Sequence, residues 1–188
     1  MSTPARMNVL GFAGSLRKGS YNGGALRAAR DLAPEGMAVE IFDIAAIPLY
    51  NEDLHRQGFP PAVQAFRDKI RAADGLLIAT PEYNYSVPGV LKNAIDWASR
   101  PPEQPFADKP IAIMGASPGM FGTVRAQHHL RQCFVFLDGK VLARPEIMIP
   151  AAGDKFDDQG NLVDESTRKF IAAFLAAFKT WIGRLKQP

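Results

Sequence analysis

The sequence holds one cysteine in 188 residues, Cys133, so no disulfide forms within the chain and the cysteine-rich zinc patterns are excluded with it. A reducing, cytoplasmic setting is the expectation that follows. Long apolar runs are also missing. The longest stretch without a charge, Pro110 to Val124, is interrupted by three glycines and two prolines and is too short and too broken to span a membrane. The early apolar run Val9 to Leu16 contains Gly11 and Gly14 and is followed by no small-residue cleavage site, so no secretory signal is expected. Repeats, low-complexity tracts and blocks of one charge sign are absent too. The net charge is 22 − 19 = +3 and the pI is about 9.1. That mild basicity suits a phosphorylated ligand or serves only solubility, and neither a membrane nor a nucleic-acid partner is expected.

What is present is an ordinary globular composition, 47% apolar and 22% charged, in a length that suits one domain over residues 1–188. Short apolar runs alternate with segments of helical period. Met7–Ala13, Ala38–Phe42, Gly75–Thr80, Ile111–Ala116 and Lys140–Ala143, the last with a pattern that can be read on to Ile149, have the continuous apolar character of buried parallel strands. The helical patterns begin with a weak one at Asn22–Leu32. Stripes follow at Val63, Phe66, Ile70 and Ala73, at Val90, Leu91, Ala94, Ile95 and Ala98, and at Leu130, Cys133, Phe134 and Leu137, where Gly139 would be the C-cap. The last and clearest runs from Phe170 to Leu185 behind Asp164, an expected N-cap. Five strands alternating with five helices predict an α/β, doubly wound five-stranded parallel sheet with helices on both faces. Such sheets bind ligands beyond the carboxyl ends of their strands.

Three loops at those ends are unusual. Gly14 to Asn22 combines glycines, Ser15, Ser20, Asn22 and the cations Arg17 and Lys18 before a helix start, the parts of a phosphate cradle. Gly14 and Gly19 have Walker A spacing, but Ser20-Tyr21 stands where Lys and Ser/Thr are required, and no G-x-G-x-x-G fingerprint is present. Asp43, at the end of the second strand, is therefore read as a solvated strand end. Thr80 to Gly89 contains Pro81, Glu82, Tyr83, Asn84 and Tyr85, which suit a flat aromatic ligand with a polar edge. Ser117 to Gly122 is glycine-rich and supplies a third side to one crevice.

These loops, with Pro48 to Leu54 and the run Leu91-Lys92-Asn93-Ala94-Ile95-Asp96-Trp97, resemble the flavodoxin-like NAD(P)H-dependent FMN reductases, a family that includes quinone, azo-dye and chromate reductases. The resemblance spans essentially the whole chain. It implies that Ser15, Arg17, Ser20, Tyr21 and Asn22 bind the FMN phosphate, that Pro81, Glu82, Tyr83, Asn84 and Tyr85 line the isoalloxazine, and that Ser117 and Gly119 approach its pyrimidine or ribityl side. It further implies FMN as cofactor and NADH or NADPH as co-substrate. Assembly as a homodimer or homotetramer in which a neighbouring subunit borders the flavin is implied as well. Arg125 and Glu146 could pair across such an interface, with a solvated surface charge as the default reading of each.

With FMN carrying the redox chemistry no catalytic base is required, and Glu82 is expected to be a solvated loop carboxylate rather than a base. His128 and His129 are adjacent on a helix and point too far apart to share a metal, and Cys133 is expected in the core. The leading reading is an FMN-dependent NAD(P)H oxidoreductase acting on quinones, flavins or similar acceptors by a ping-pong mechanism. An electron carrier of the same fold and a flavin-free nucleotide-binding protein are the alternatives.

Overall fold

The computed structural model describes residues 6–186. Strands β1 (Met7–Ala13), β2 (Met37–Phe42), β3 (Gly75–Ala79), β4 (Pro110–Ala116), β5 (Lys140–Val141) and β6 (Ile147–Ile149) alternate with helices α1 (Tyr21–Asp31), α2 (Glu52–His55), α3 (Pro61–Ala72), α4 (Gly89–Ala98), α5 (Val124–Phe136) and α6 (Glu165–Leu185). All pairings are parallel, in the order β2-β1-β3-β4-β5. This is the expected flavodoxin-like sheet. The strand order reverses between β1 and β3, which opens the crevice at their carboxyl ends.

Alternation along the strands divides the core in two. Val9, Leu77, Ala79, Ala112 and Met114 meet α1 and α6 on one face. Leu10, Phe12, Leu76, Ile78, Ile111 and Ile113 meet α3, α4 and α5 on the other. With both faces covered, β3 and β4 are buried at every residue, which is why they read as unbroken apolar runs.

The fifth strand position departs from expectation. β5 pairs Pro110 and Ile111, β6 pairs Met114 to Ala116, and the chain leaves the sheet between them. Pro145, which has no N–H to give to the ladder, sits in that gap. A sixth helix, α2, was not expected because one turn is too short to show a period. Asn51 caps it by accepting from the Asp53 N–H at 2.8 Å. The segment before α2 is pinned to α4, where Asn93 Nδ2 and Trp97 Nε1 both donate to the Pro48 carbonyl. That contact accounts for the two motifs around Pro48 and Trp97.

Two smaller expectations also need correction. The left-handed residue that closes α5 is Asp138 (φ 55°). Gly139 is required for space instead, since a Cβ there would lie 2.7 Å from Ile111 Cδ1. Cys133 is half-buried rather than core, because the inward stripe of α5 passes through Leu130 and Phe134. Burial pushes its thiol above the usual range, which keeps it protonated and a poor nucleophile at neutral pH.

Asp164 does cap α6, accepting from the Thr167 N–H at 2.7 Å. Before it, residues 150–164 cross the amino end of α1. Phe156 packs on Tyr21 with ring centroids 5.1 Å apart, and Arg27 Nη2 donates to the Gly160 carbonyl at 2.8 Å. Gly160 has a φ of 77° that only glycine adopts without strain. A Cβ on Gly24 would collide with the Gly160 carbonyl. Gly24→Ala is therefore expected to cost about 1–3 kcal/mol by overpacking. In a thermal melt that is a drop in Tm of roughly 2–12 °C. Gly89→Ala, where a Cβ meets nothing within 4 Å, is the control and should leave the Tm within about 2 °C.

Candidate functional site

The first loop leaves β1 where Gly14 N–H donates to the Ala79 carbonyl, 2.9 Å away. A Cβ on Gly14 would meet Pro88 and Leu91 at 3.1 Å, so glycine lets this loop lie against the start of α4. Ser20 is the N-cap of α1 and accepts from Gly23 N–H at 3.3 Å. The first turn of α1 contains no acidic residue. Among the described residues, the N–H groups of Arg17, Tyr21 and Asn22 find no acceptor. A helix start with orphaned donors and no carboxylate is an anion site. Arg17 is exposed beside it, its guanidinium 5.2 Å from the Tyr21 ring centroid.

Asn22 has a different task from the one its type suggested. Its side chain is buried, and its amide makes a reciprocal pair with Ala116: Nδ2 donates to the Ala116 carbonyl and Oδ1 accepts from the Ala116 N–H, both at 2.9 Å. That pair imitates one rung of a sheet ladder. It ties the first loop to the end of β4 and leaves only the Asn22 N–H for a ligand.

The second loop folds into a tight reverse turn. Tyr83 and Ser86 exchange N–H···O bonds of 3.1 and 3.0 Å, and Asn84 and Tyr85 at the tip have φ of 50° and 65°. Two successive left-handed non-glycine residues, one of them aromatic, are strained. The turn is held from outside. The Arg125 guanidinium lies 3.7 Å from the Tyr85 ring centroid and 4.7 Å from that of Phe121, while Ser86 Oγ and His129 Nδ1 are 3.0 Å apart.

Glu82 is the residue sequence reasoning placed least well. It is not a solvated carboxylate: its side chain is only 10% exposed and pairs with Arg125 Nε at 2.6 Å. Its Oε2 accepts from the N–H groups of Arg125 and Ala126 at 3.0 and 3.1 Å. Thr123, at φ 72°, provides no side-chain cap for α5, so Glu82 reaches across from the second loop to cap it. Arg125 is thus committed within its own chain, and Glu146 stands 3.8 Å from Arg131 instead. Within one chain Arg125 and Glu146 therefore have different partners.

The third loop is fastened from the other side. Ser117 N–H donates to the Ile149 carbonyl and Ala152 N–H to the Ser117 carbonyl, both at 3.0 Å. The three loops enclose a cleft of about 220 Å³. Ser15, Arg17, Ser20, Tyr21 and Asn22 form one side, Pro81, Glu82 and Tyr83 the second, and Ser117 the third. Asn84, Tyr85 and Gly119 do not line it; the two former are the exposed tip of the turn and Gly119 lies on the outer bend of its loop. The arrangement offers an anion cradle at one end, with Arg17 beside it. Its walls are a proline, tyrosines and backbone, as a planar ligand with a phosphate tail requires. Glu82→Ala should uncap α5 and free Arg125, with a loss of about 2–4 kcal/mol in chemical denaturation.

The family model for NADPH-dependent FMN reductase matches residues 7–154. An NAD(P)H-dependent FMN reductase of Pseudomonas aeruginosa is 61% identical over 180 residues, covering 96% of this chain and 97% of its own. A quinone reductase of Escherichia coli is 48% identical over 184 residues, covering 96% and 98%. Among solved structures, a flavoenzyme NAD(P)H:(acceptor) oxidoreductase of Paracoccus denitrificans superposes with a TM-score of 0.86 at 36% identity, covering 95% of this chain and 98% of its own. On these matches, which for the relatives cover nearly the whole chain, the chain belongs to the NADPH-dependent FMN reductase family.

Proposed function

We propose that the cleft binds FMN with its phosphate on the amino end of α1 and its ring against the second loop, and that the protein is an NAD(P)H-dependent reductase of quinones. The observation that supports this most strongly is the uncompensated start of α1, open to the same cleft as Pro81, Tyr83 and Ser117. Ser15, Ser20, Arg17 and the N–H groups of Tyr21 and Asn22 hold the phosphate. Pro81 and Tyr83 orient the ring, and the Tyr85 tip, backed by Arg125, borders its open side. Bound there, FMN supplies two-electron chemistry between NAD(P)H and the acceptor. The chain's residues bind and orient without proton abstraction: both oxygens of Glu82 are occupied by Arg125 and Ala126. One open site used in turn by NAD(P)H and acceptor makes the kinetics ping-pong. Azo dyes, flavins and chromate are further acceptors for a site with so few acceptor contacts.

Tyr85, Met120 and Phe121 are 68%, 88% and 62% exposed beside the cleft. We infer that a second copy of the chain covers them in a homodimer or homotetramer and completes the wall over the ring. The chain is intracellular in this reading, acting in the cytoplasm.

Purified protein should take up one FMN per chain and oxidise NADH or NADPH with a simple quinone, giving parallel double-reciprocal plots. Intersecting plots would refute the ping-pong order. Arg17→Ala should weaken FMN binding roughly 10- to 100-fold in a fluorescence titration, the scale of one hydrogen bond to a charged group. In sedimentation at micromolar concentration, the wild-type chain is expected as an oligomer and Phe121→Asp as smaller species; a wild-type monomer would refute the assembly.

A further inference from the structure

A second pocket, of about 450 Å³, adjoins the cleft and shares Ser15 and Arg17 with it. Small-ligand pockets run roughly 300–1,000 Å³. It lies between α1 and the end of β2, with the first loop as the wall between it and the cleft. Lys18, Arg27 and Arg30 line it together with Arg17, against the single carboxylate Asp43. Arg27 and Arg30 are one turn apart on α1 and share a face. Arg27 Nη2 is occupied by the Gly160 carbonyl and Asn161 Oδ1, and Arg30 Nε by the exposed Asp31. Among the described residues, neither Arg17 nor Lys18 has a carboxylate partner. The pocket also has an apolar side: Leu16 and Ile41 stand 49% and 38% exposed there, over buried Leu26 and Ile44. One oxygen of Asp43 accepts from Ala45 N–H at 2.9 Å; its other oxygen is available to a hydroxyl.

Cations around an aliphatic surface, beside a lone carboxylate, match the chemistry of a phosphorylated adenosine: 2′-phosphate on the cations, purine on Leu16 and Ile41, and the remaining ribose 3′-hydroxyl on Asp43. We propose that this pocket receives the adenosine 2′-phosphate end of NADPH while its nicotinamide lies over the flavin, and that four cations against one carboxylate make the enzyme prefer NADPH to NADH. The proposal rests on the reading of the neighbouring cleft as the flavin site, and the shared Ser15 and Arg17 wall makes one dinucleotide able to reach both.

The test uses the FMN-loaded protein and Arg30→Ala, a residue of α1 outside the flavin cradle. The Michaelis constant for NADPH should rise about tenfold or more, that for NADH less than about threefold, with kcat and FMN content held. Calorimetry with 2′,5′-ADP and 5′-AMP gives a readout independent of turnover: 2′,5′-ADP should bind the wild type more tightly, and the variant should lose that advantage. Equal rises for both coenzymes, an NADPH constant changed less than twofold, or no binding of 2′,5′-ADP to the wild type would each overturn the proposal. A protein that binds 2′,5′-ADP but takes up no FMN would instead overturn the flavin reading and leave the adenosine pocket supported.

Discussion

The carboxyl edge of the sheet depends on one side-chain amide. Asn22 and Ala116, 94 positions apart, exchange two buried hydrogen bonds that clamp the first loop to the end of β4. A buried donor and acceptor left alone would each cost about 1–3 kcal/mol, so the two groups keep each other in place. Because the clamp stands at the first turn of α1, the orphaned N–H groups of that turn face the cleft before any ligand arrives. Preformed donors are what make a phosphate site tight, since little ordering remains to be done on binding.

A second constraint follows from the same economy of polar groups. α5 begins without a cap of its own, and Glu82 provides one from another loop while also holding Arg125. Arg125 in turn lies under Tyr85, at the tip of a turn with two strained residues. Strain at Asn84 and Tyr85 persists because the surroundings over-determine it, as at many ligand sites. The charge of the chain has a comparable local logic. Its modest +3 is concentrated where Arg17, Lys18, Arg27 and Arg30 gather around α1.

Most of the fold was legible in the sequence, because β3 and β4 are buried on both faces and α6 shows its stripe over many turns. The exceptions have physical causes. The fifth strand is split where Pro145 interrupts the ladder, α2 is a single turn, and Cys133 lies at the edge of a stripe whose width a helical period does not define. At the site, the residues of the first loop, Pro81, Tyr83 and Ser117 come together as their types suggested. The tasks of Asn22 and Glu82 were not legible, since backbone partners 94 and 43 residues away leave no local pattern. The segment around Gly160 escaped notice for the same reason. Only the turn signal Asp157-Asp158-Gln159-Gly160 marked it, and its contact with Gly24 is made through backbone.

The central claim is that the clamped loops form a flavin site in advance. Titration of FMN into the wild-type chain and into Asn22→Ala, with cooperative melting verified for both, tests it most directly. The account predicts one FMN per wild-type chain and affinity at least about tenfold weaker in the variant, which keeps the Asn22 N–H but loses the clamp. A wild-type chain that takes up no FMN, or a variant that binds it equally well, would contradict the account.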